Sequence, residues 1–125
     1  AKTDQKGLHS NVLFLGRRND IPALLKVLDV LIIPSSFEGF PLAGLEAAAA
    51  GVPVAACNAA GAEEFVRVSG NGVVFQENDT ASAVEAIKTI LKNRESFQRA
   101  GVRFSRAMST QKYAERIKSV FLAIS

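Results

Sequence analysis

Four short apolar runs punctuate the chain: Asn11–Leu15, Val30–Pro34, Val52–Cys57 and Gly72–Phe75. Each is rich in valine, leucine or isoleucine, and each is short enough to be a strand. Three of the four are apolar at nearly every position instead of alternating. That pattern belongs to strands covered on both faces, as in a parallel sheet. Between the runs the apolar period lengthens to that of a helix. Ile21–Leu28 places Ile21, Leu24, Leu25 and Leu28 on one face, with Asp20 as a capping side chain and Pro22 in the first turn. Leu42–Ala50 reads as a helix closed by Gly51, and Glu63–Val68 as a short helix ending before Gly70-Asn-Gly72. After the last strand the pattern is helical throughout. Thr80–Lys92 gathers Ala83, Val84, Ile87, Ile90 and Leu91 on one face, with Asp79 or Thr80 as its cap. Two more helices are expected over Arg94–Ala107 and over Thr110–Ala123. The last has an apolar stripe of Tyr113, Ile117, Val120, Phe121 and Ile124.

Strand and helix in alternation predict an α/β fold: a doubly wound, mostly parallel, Rossmann-like sheet of about four strands with helices on both faces. The 125 residues suffice for one domain, here residues 1–125. Four strands behind a polar lead of ten residues are few for this architecture. The expectation is a compact variant or a fragment of a larger, two-domain enzyme.

Composition removes several function classes. Hydrophobic residues make up 48% and charged residues 22% of the chain, as in a folded globular protein. The net charge of +3 is scattered, and Lys88, Lys92, Arg94, Arg99, Arg103 and Arg106 are spaced as on solvated helix faces. No dense basic stripe with interleaved aromatics is present, so no nucleic-acid partner is expected. Cys57 is the single cysteine, which precludes an intrachain disulfide. It lies in Val52-Pro-Val-Ala-Ala-Cys57 and reads as a small buried hydrophobe, a usage that suits a reducing cytoplasm. Ala1-Lys-Thr-Asp-Gln-Lys-Gly7 is too polar for a signal peptide. The longest uncharged stretch, Ala47–Ala62, is broken by Gly51, Pro53 and Asn58 and is too short to span a bilayer. A cytoplasmic location follows as the expectation, with peripheral contact at the inner face of the membrane left open.

The segment that carries chemistry is Pro34-Ser-Ser-Phe-Glu38-Gly-Phe-Pro-Leu-Ala-Gly-Leu-Glu46-Ala-Ala-Ala-Ala-Gly51-Val-Pro53. It runs from the carboxyl end of a strand, through a loop with Gly39 and Pro41, into a helix. Ligands of open α/β sheets bind at such carboxyl ends, and a helix starting there offers free N–H groups and a positive dipole end to a phosphate. Gly39 permits close backbone approach, and Pro41 presets the helix entry without an N–H of its own. The amides open to an anion are those of Gly39, Phe40, Leu42 and Ala43. Glu46, one turn into the helix, leans back toward the N-terminus. Its two acceptor oxygens match neighbouring hydroxyls such as those of a ribose. Glu38, in the loop, can meet whatever is attached to the phosphate. Taken alone, the two glutamates fit equally a surface helix residue and a carboxylate favouring the helix dipole. Ala47–Ala50 read as packing residues that let a helix lie close to a sheet.

At these residues the chain resembles the family-four retaining glycosyltransferases of the GT-B fold. Two glutamates separated by seven residues, glycine-aromatic directly after the first, an alanine-rich helix and then Gly51-Val-Pro-Val54 make up that family's signature. Gly7-Leu-His-Ser-Asn-Val-Leu-Phe-Leu-Gly16, Asp29-Val-Leu-Ile-Ile-Pro-Ser35, Ala59-Ala-Gly61-Ala-Glu-Glu64 and Gly70-Asn-Gly72-Val-Val-Phe75 resemble the flanking segments in the same order. The resemblance implies that Glu46 holds the ribose hydroxyls, that amides of Gly39, Phe40 and Leu42 around Pro41 bind the diphosphate, and that Glu38 lies beside the transferred sugar as the catalytic carboxylate. It also implies that Arg17 and Arg18 border the nucleobase, although a plain solvent-exposed loop suits them as well. No metal and no cofactor is implied: amides and basic side chains neutralise the leaving diphosphate. The implied partners are a nucleoside-diphosphate sugar, a sugar, lipid-linked or cell-envelope polysaccharide acceptor, and an N-terminal domain of the same enzyme that this sequence lacks. Pro41 stands where glycine is common, and Ala60 replaces the first of a usual glycine pair. Two alternatives remain at this point: a non-catalytic nucleotide- or phosphate-binding module, and a GT-B-fold sugar-nucleotide epimerase.

Overall fold

The structure is a computed structural model that describes residues 2–36, 39, 41–108, 114, 115 and 122. Three strands, β1 (Leu31–Ile33), β2 (Val54–Cys57) and β3 (Gly72–Phe75), form a parallel sheet in the order β1-β2-β3. Leu31 stands opposite Val54, and Ala56 opposite Val74. The first two strands are shorter than their apolar runs because proline has no N–H to give a ladder. Pro53 still contributes its carbonyl, which accepts from the Leu31 N–H at 2.9 Å.

The helices are α1 (Lys2–Gln5), α2 (Ile21–Leu25), α3 (Leu42–Ala49), α4 (Ala60–Ser69), α5 (Thr80–Lys92) and α6 (Arg94–Ala107). The period-two geometry of the strands sorts them onto two faces. Leu31, Ile33, Val54, Ala56 and Val74 meet Leu25 of α2, Ala47 and Ala48 of α3, Phe65 of α4 and Phe104 of α6. Ala55, Cys57, Val73 and Phe75 face α5 through Ala83, Ala86, Ile87 and Ile90. Helices therefore cover both faces, as the unbroken apolar runs require; β2, in the middle, is buried at every residue.

Close packing explains the small residues of α3. Ala47 and Ala48 are fully buried, and a Cβ on Gly44 would come within 2.9 Å of the Phe65 ring. That ring stands edge-on to Phe104, with centroids 6.0 Å apart. Burying a phenylalanine at such a point contributes about 1.5–3 kcal/mol. Gly51 ends α3 at φ +74, a left-handed turn that glycine adopts without a Cβ penalty. Its N–H donates to Ala48 O at 3.1 Å, and that of Val52 to Ala47 O at 2.8 Å.

The structure departs from the sequence expectations in several places. Asn11–Leu15 forms no ladder, so three strands pair among the described residues instead of four. Leu13 is 80% and Phe14 76% exposed. An apolar run records a tendency toward burial, but a strand also needs a neighbour for its backbone groups, and this segment has none. The polar lead contains the one-turn α1. Helix α2 stops at Leu25 and continues only as turns to Leu28. Helix α4 starts at Ala60, where Ala59 O takes the Glu63 N–H at 2.9 Å. The helix expected over Thr110–Ala123 falls outside the described residues except for Ala114, Glu115 and Leu122. No described helix is long and apolar enough to cross a membrane.

Candidate functional site

The site is built where β1 hands the chain to α3, at the carboxyl edge of the sheet. Pro41 is the residue before the helix, buried, with φ −75 and ψ 112. Its carbonyl accepts from Leu45 N at 3.2 Å, while no side chain caps the helix. The amides of Leu42, Ala43 and Gly44 lie in the first turn, which has no intrahelical partners. Leu42 is 63% exposed, so this end opens to solvent. Gly39 is exposed, and a Cβ there would meet nothing within 4 Å. Two of the expected site residues, Glu38 and Phe40, lie outside the described residues.

Glu46 sits one turn further along α3 and is exposed. It lines a cleft of about 430 Å³ between α2 and α3, together with Ile21, Pro22, Leu25, Lys26, Ala49 and Ala50. The cleft exists because the α3 residues along it are alanines, whose methyl groups leave room beside the start of α2. Its walls are mainly apolar, with one carboxylate and one ammonium set into them. Neither Glu46 nor Lys26 forms an ion pair among the described residues. Sequence reasoning missed Lys26, as well as the part played by Ile21 and Pro22. Lysine after a short helix carries no signal, and only the fold brings it into the same cleft as Glu46.

The two arginines expected near a nucleobase do not line this cleft. Arg17 is exposed and does not line the cleft. Arg18 grips Asp20 through Nε at 2.7 Å and Nη2 at 2.5 Å. That hydrogen bond, helped by charge attraction, holds the Asp20 carboxyl below its ordinary value and raises the Arg18 guanidinium above its own. Asp20 therefore does not cap α2 as expected, since its side chain makes no cap hydrogen bond. The nearby arginine competes for the same oxygens.

The other helix starts at the same edge differ among themselves. α4 follows Ala59 and has no side-chain cap. α5 is capped by Asp79, whose Oδ1 accepts from Ser82 N at 2.9 Å. Cys57 is buried, as its sequence context suggested. Among the described residues, no group of three or more His, Cys, Asp or Glu side chains stands together as a metal site.

Known proteins resemble this chain in sequence and fold. Over 80 residues, 64% of the chain, it is 41% identical to the UDP-Gal:alpha-D-GlcNAc-diphosphoundecaprenol alpha-1,3-galactosyltransferase of Escherichia coli, covering 21% of that protein. It is 31% identical to the N-acetyl-alpha-D-glucosaminyl L-malate synthase of Bacillus anthracis over 95% of the chain and 32% of that protein. The solved structure of Anabaena HepE in complex with UDP superposes with a TM-score of 0.77 at 26% identity, covering 98% of this chain and 35% of that one. HepE in complex with UDP-glucose superposes with a TM-score of 0.75 at 27% identity, over 94% and 35% of the two chains. The chain thus spans between 21% and 35% of the length of these proteins. The sequence pattern of the family described as glycosyl transferases group 1 matches residues 1–106, and the chain belongs to that family.

Proposed function

We propose that this chain is the donor-binding part of a retaining glycosyltransferase, which moves a sugar from a nucleoside diphosphate to a sugar, lipid-linked or polysaccharide acceptor. The observation that carries the proposal is Glu46, set in an open cleft one turn behind a helix start that no side chain caps. Each group has a role that its chemistry supports. The free amides of Leu42 and Ala43, with the helix dipole behind them, favour a diphosphate. As charge builds on the departing diphosphate, these fixed dipoles stabilise it without having to reorganise. We assign this neutralisation to amides and basic side chains, without a metal. Glu46 accepts from the ribose hydroxyls. Glu38, separated from Glu46 by the seven residues of the loop and first turn, is assigned to the sugar and to the positive charge that develops at its anomeric carbon.

The relatives support the same assignment: one is named for transfer from UDP-galactose, and a structural neighbour holds UDP-glucose. Because the chain covers about a third or less of those proteins, transfer itself is assigned to it in combination with an acceptor-binding domain. The lipid-linked acceptor named for the Escherichia coli relative supports action at the inner face of a membrane.

The test is calorimetric titration of the 125-residue chain with UDP and GDP. Replacing Glu46 with alanine removes hydrogen bonds to a charged acceptor, a loss of about 1.5–3 kcal/mol in binding. Affinity unchanged in Glu46→Ala would remove Glu46 from the site and take the donor assignment with it.

A further inference from the structure

From the same cleft we infer that Lys26 reads the nucleobase and selects bases with a carbonyl at the exposed edge, uracil foremost, over those with an amino group there. The inference rests on the donor-site assignment above and adds the specificity that it lacks.

The layout follows from helix geometry. Leu42 lies four residues before Glu46, and Ala50 four residues after it. At about 1.5 Å of rise per residue, each interval is about 6 Å along the axis. A diphosphate at the amides of Leu42 and Ala43 and a ribose at Glu46 therefore put the base beside Ala49 and Ala50. The same cleft is lined from α2 and the residue after it by Ile21, Pro22 and Lys26. Methyl groups from α3 with a branched chain and a proline ring from α2 give an apolar lining suited to the face of a flat ring. A cleft of about 430 Å³ has room for a nucleoside.

Among the described residues, Lys26 is the one donor side chain that lines that end. Lysine offers three N–H groups and no acceptor. A carbonyl oxygen on the base edge completes a charge-assisted hydrogen bond with it. An exocyclic amine in the same place meets the ammonium donor to donor. Lys26 is not held by any carboxylate among the described residues, so its ammonium is available. Arg17 and Arg18, the basic residues nearest in sequence, do not line the cleft, and Arg18 is occupied by Asp20.

UDP and CDP make the cleanest probe, because their bases have the same size and differ along one edge: uracil presents a carbonyl beside an N–H, and cytosine an amine beside a bare ring nitrogen. Calorimetry on the 125-residue chain should give UDP about tenfold tighter than CDP, the effect of one hydrogen bond to a charged group. In Lys26→Met, which keeps the length and loses the donor, the ratio should fall close to one through weaker UDP binding. An equal affinity for the two nucleotides in the unaltered chain, or a preference that survives in Lys26→Met, overturns the inference. Glu46→Ala separates the two levels. If UDP binding depends on Glu46 but the ratio ignores Lys26, the base-reading role alone falls. If neither nucleotide binds, or if binding ignores Glu46, the donor site and the inference fall together.

Discussion

Helices α3 and α5 both begin at the carboxyl edge of the sheet, yet their first turns are finished in opposite ways. At α5 the chain closes itself. Asp79 Oδ1 takes the Ser82 N–H at 2.9 Å, and Ser82 Oγ takes the Gln76 N–H at 2.9 Å. At α3 the corresponding place is held by Pro41, which has no side-chain acceptor, and the first turn contains no acidic residue. A side-chain cap is worth about 1 kcal/mol, and α3 forgoes it. Its stability comes instead from Ala47 and Ala48, fully buried against the sheet, and from Gly44, set tightly against Phe65. Packing holds the helix, which leaves its N-terminus available for an anion. Under the proposed function, the uncapped start of α3 serves the ligand and the capped start of α5 serves the fold; α4, also without a side-chain cap, has Glu63 in its first turn.

Moving the cap from one helix to the other breaks that distinction. Pro41→Asp should place an acceptor over the first amides of α3 and a negative charge where the diphosphate belongs. We expect UDP affinity to fall by about tenfold, or 1.4 kcal/mol; because Pro41 is buried, a carboxylate there also lowers the thermal midpoint, and binding is read well below it. A variant that binds UDP normally would mean that the end of α3 is not the phosphate site. The smaller effect belongs to Asp79→Ala, which removes the cap of α5 at a cost of about 1 kcal/mol. Chemical denaturation should register that loss, and calorimetry should find UDP binding unchanged. Weakened UDP binding there would place the nucleotide at the wrong helix for this account.

What the sequence disclosed follows from how local each feature is. The two-sided burial of Val54–Cys57 was written in its unbroken apolar run, and the end of α3 in Gly51. The cap on α5 was equally plain from Asp79 beside Thr80. That Asn11–Leu15 forms no strand was not legible, because pairing depends on a neighbour and not on the run itself. The role of Asp20 was missed for a related reason: a capping oxygen has competitors, and Arg18 stands close enough to claim both of its oxygens. The signature from Glu38 to Glu46 pointed to the start of α3 because its spacing is local to one loop and one helix. The cleft was not legible, since Lys26 and Glu46 stand twenty residues apart and come to line one cleft only in the folded chain.

The central claim concerns where a nucleotide touches the chain, and amide chemical shifts report that directly. Titrating the isotopically labelled 125-residue chain with UDP should move the amides of Leu42, Ala43, Glu46 and Ala49 along one saturable curve. The amides of Thr80, Ala81 and Ser82 at the capped end of α5 should hold still. Shifts gathered at α5, or no saturable shift along α3, would contradict the account.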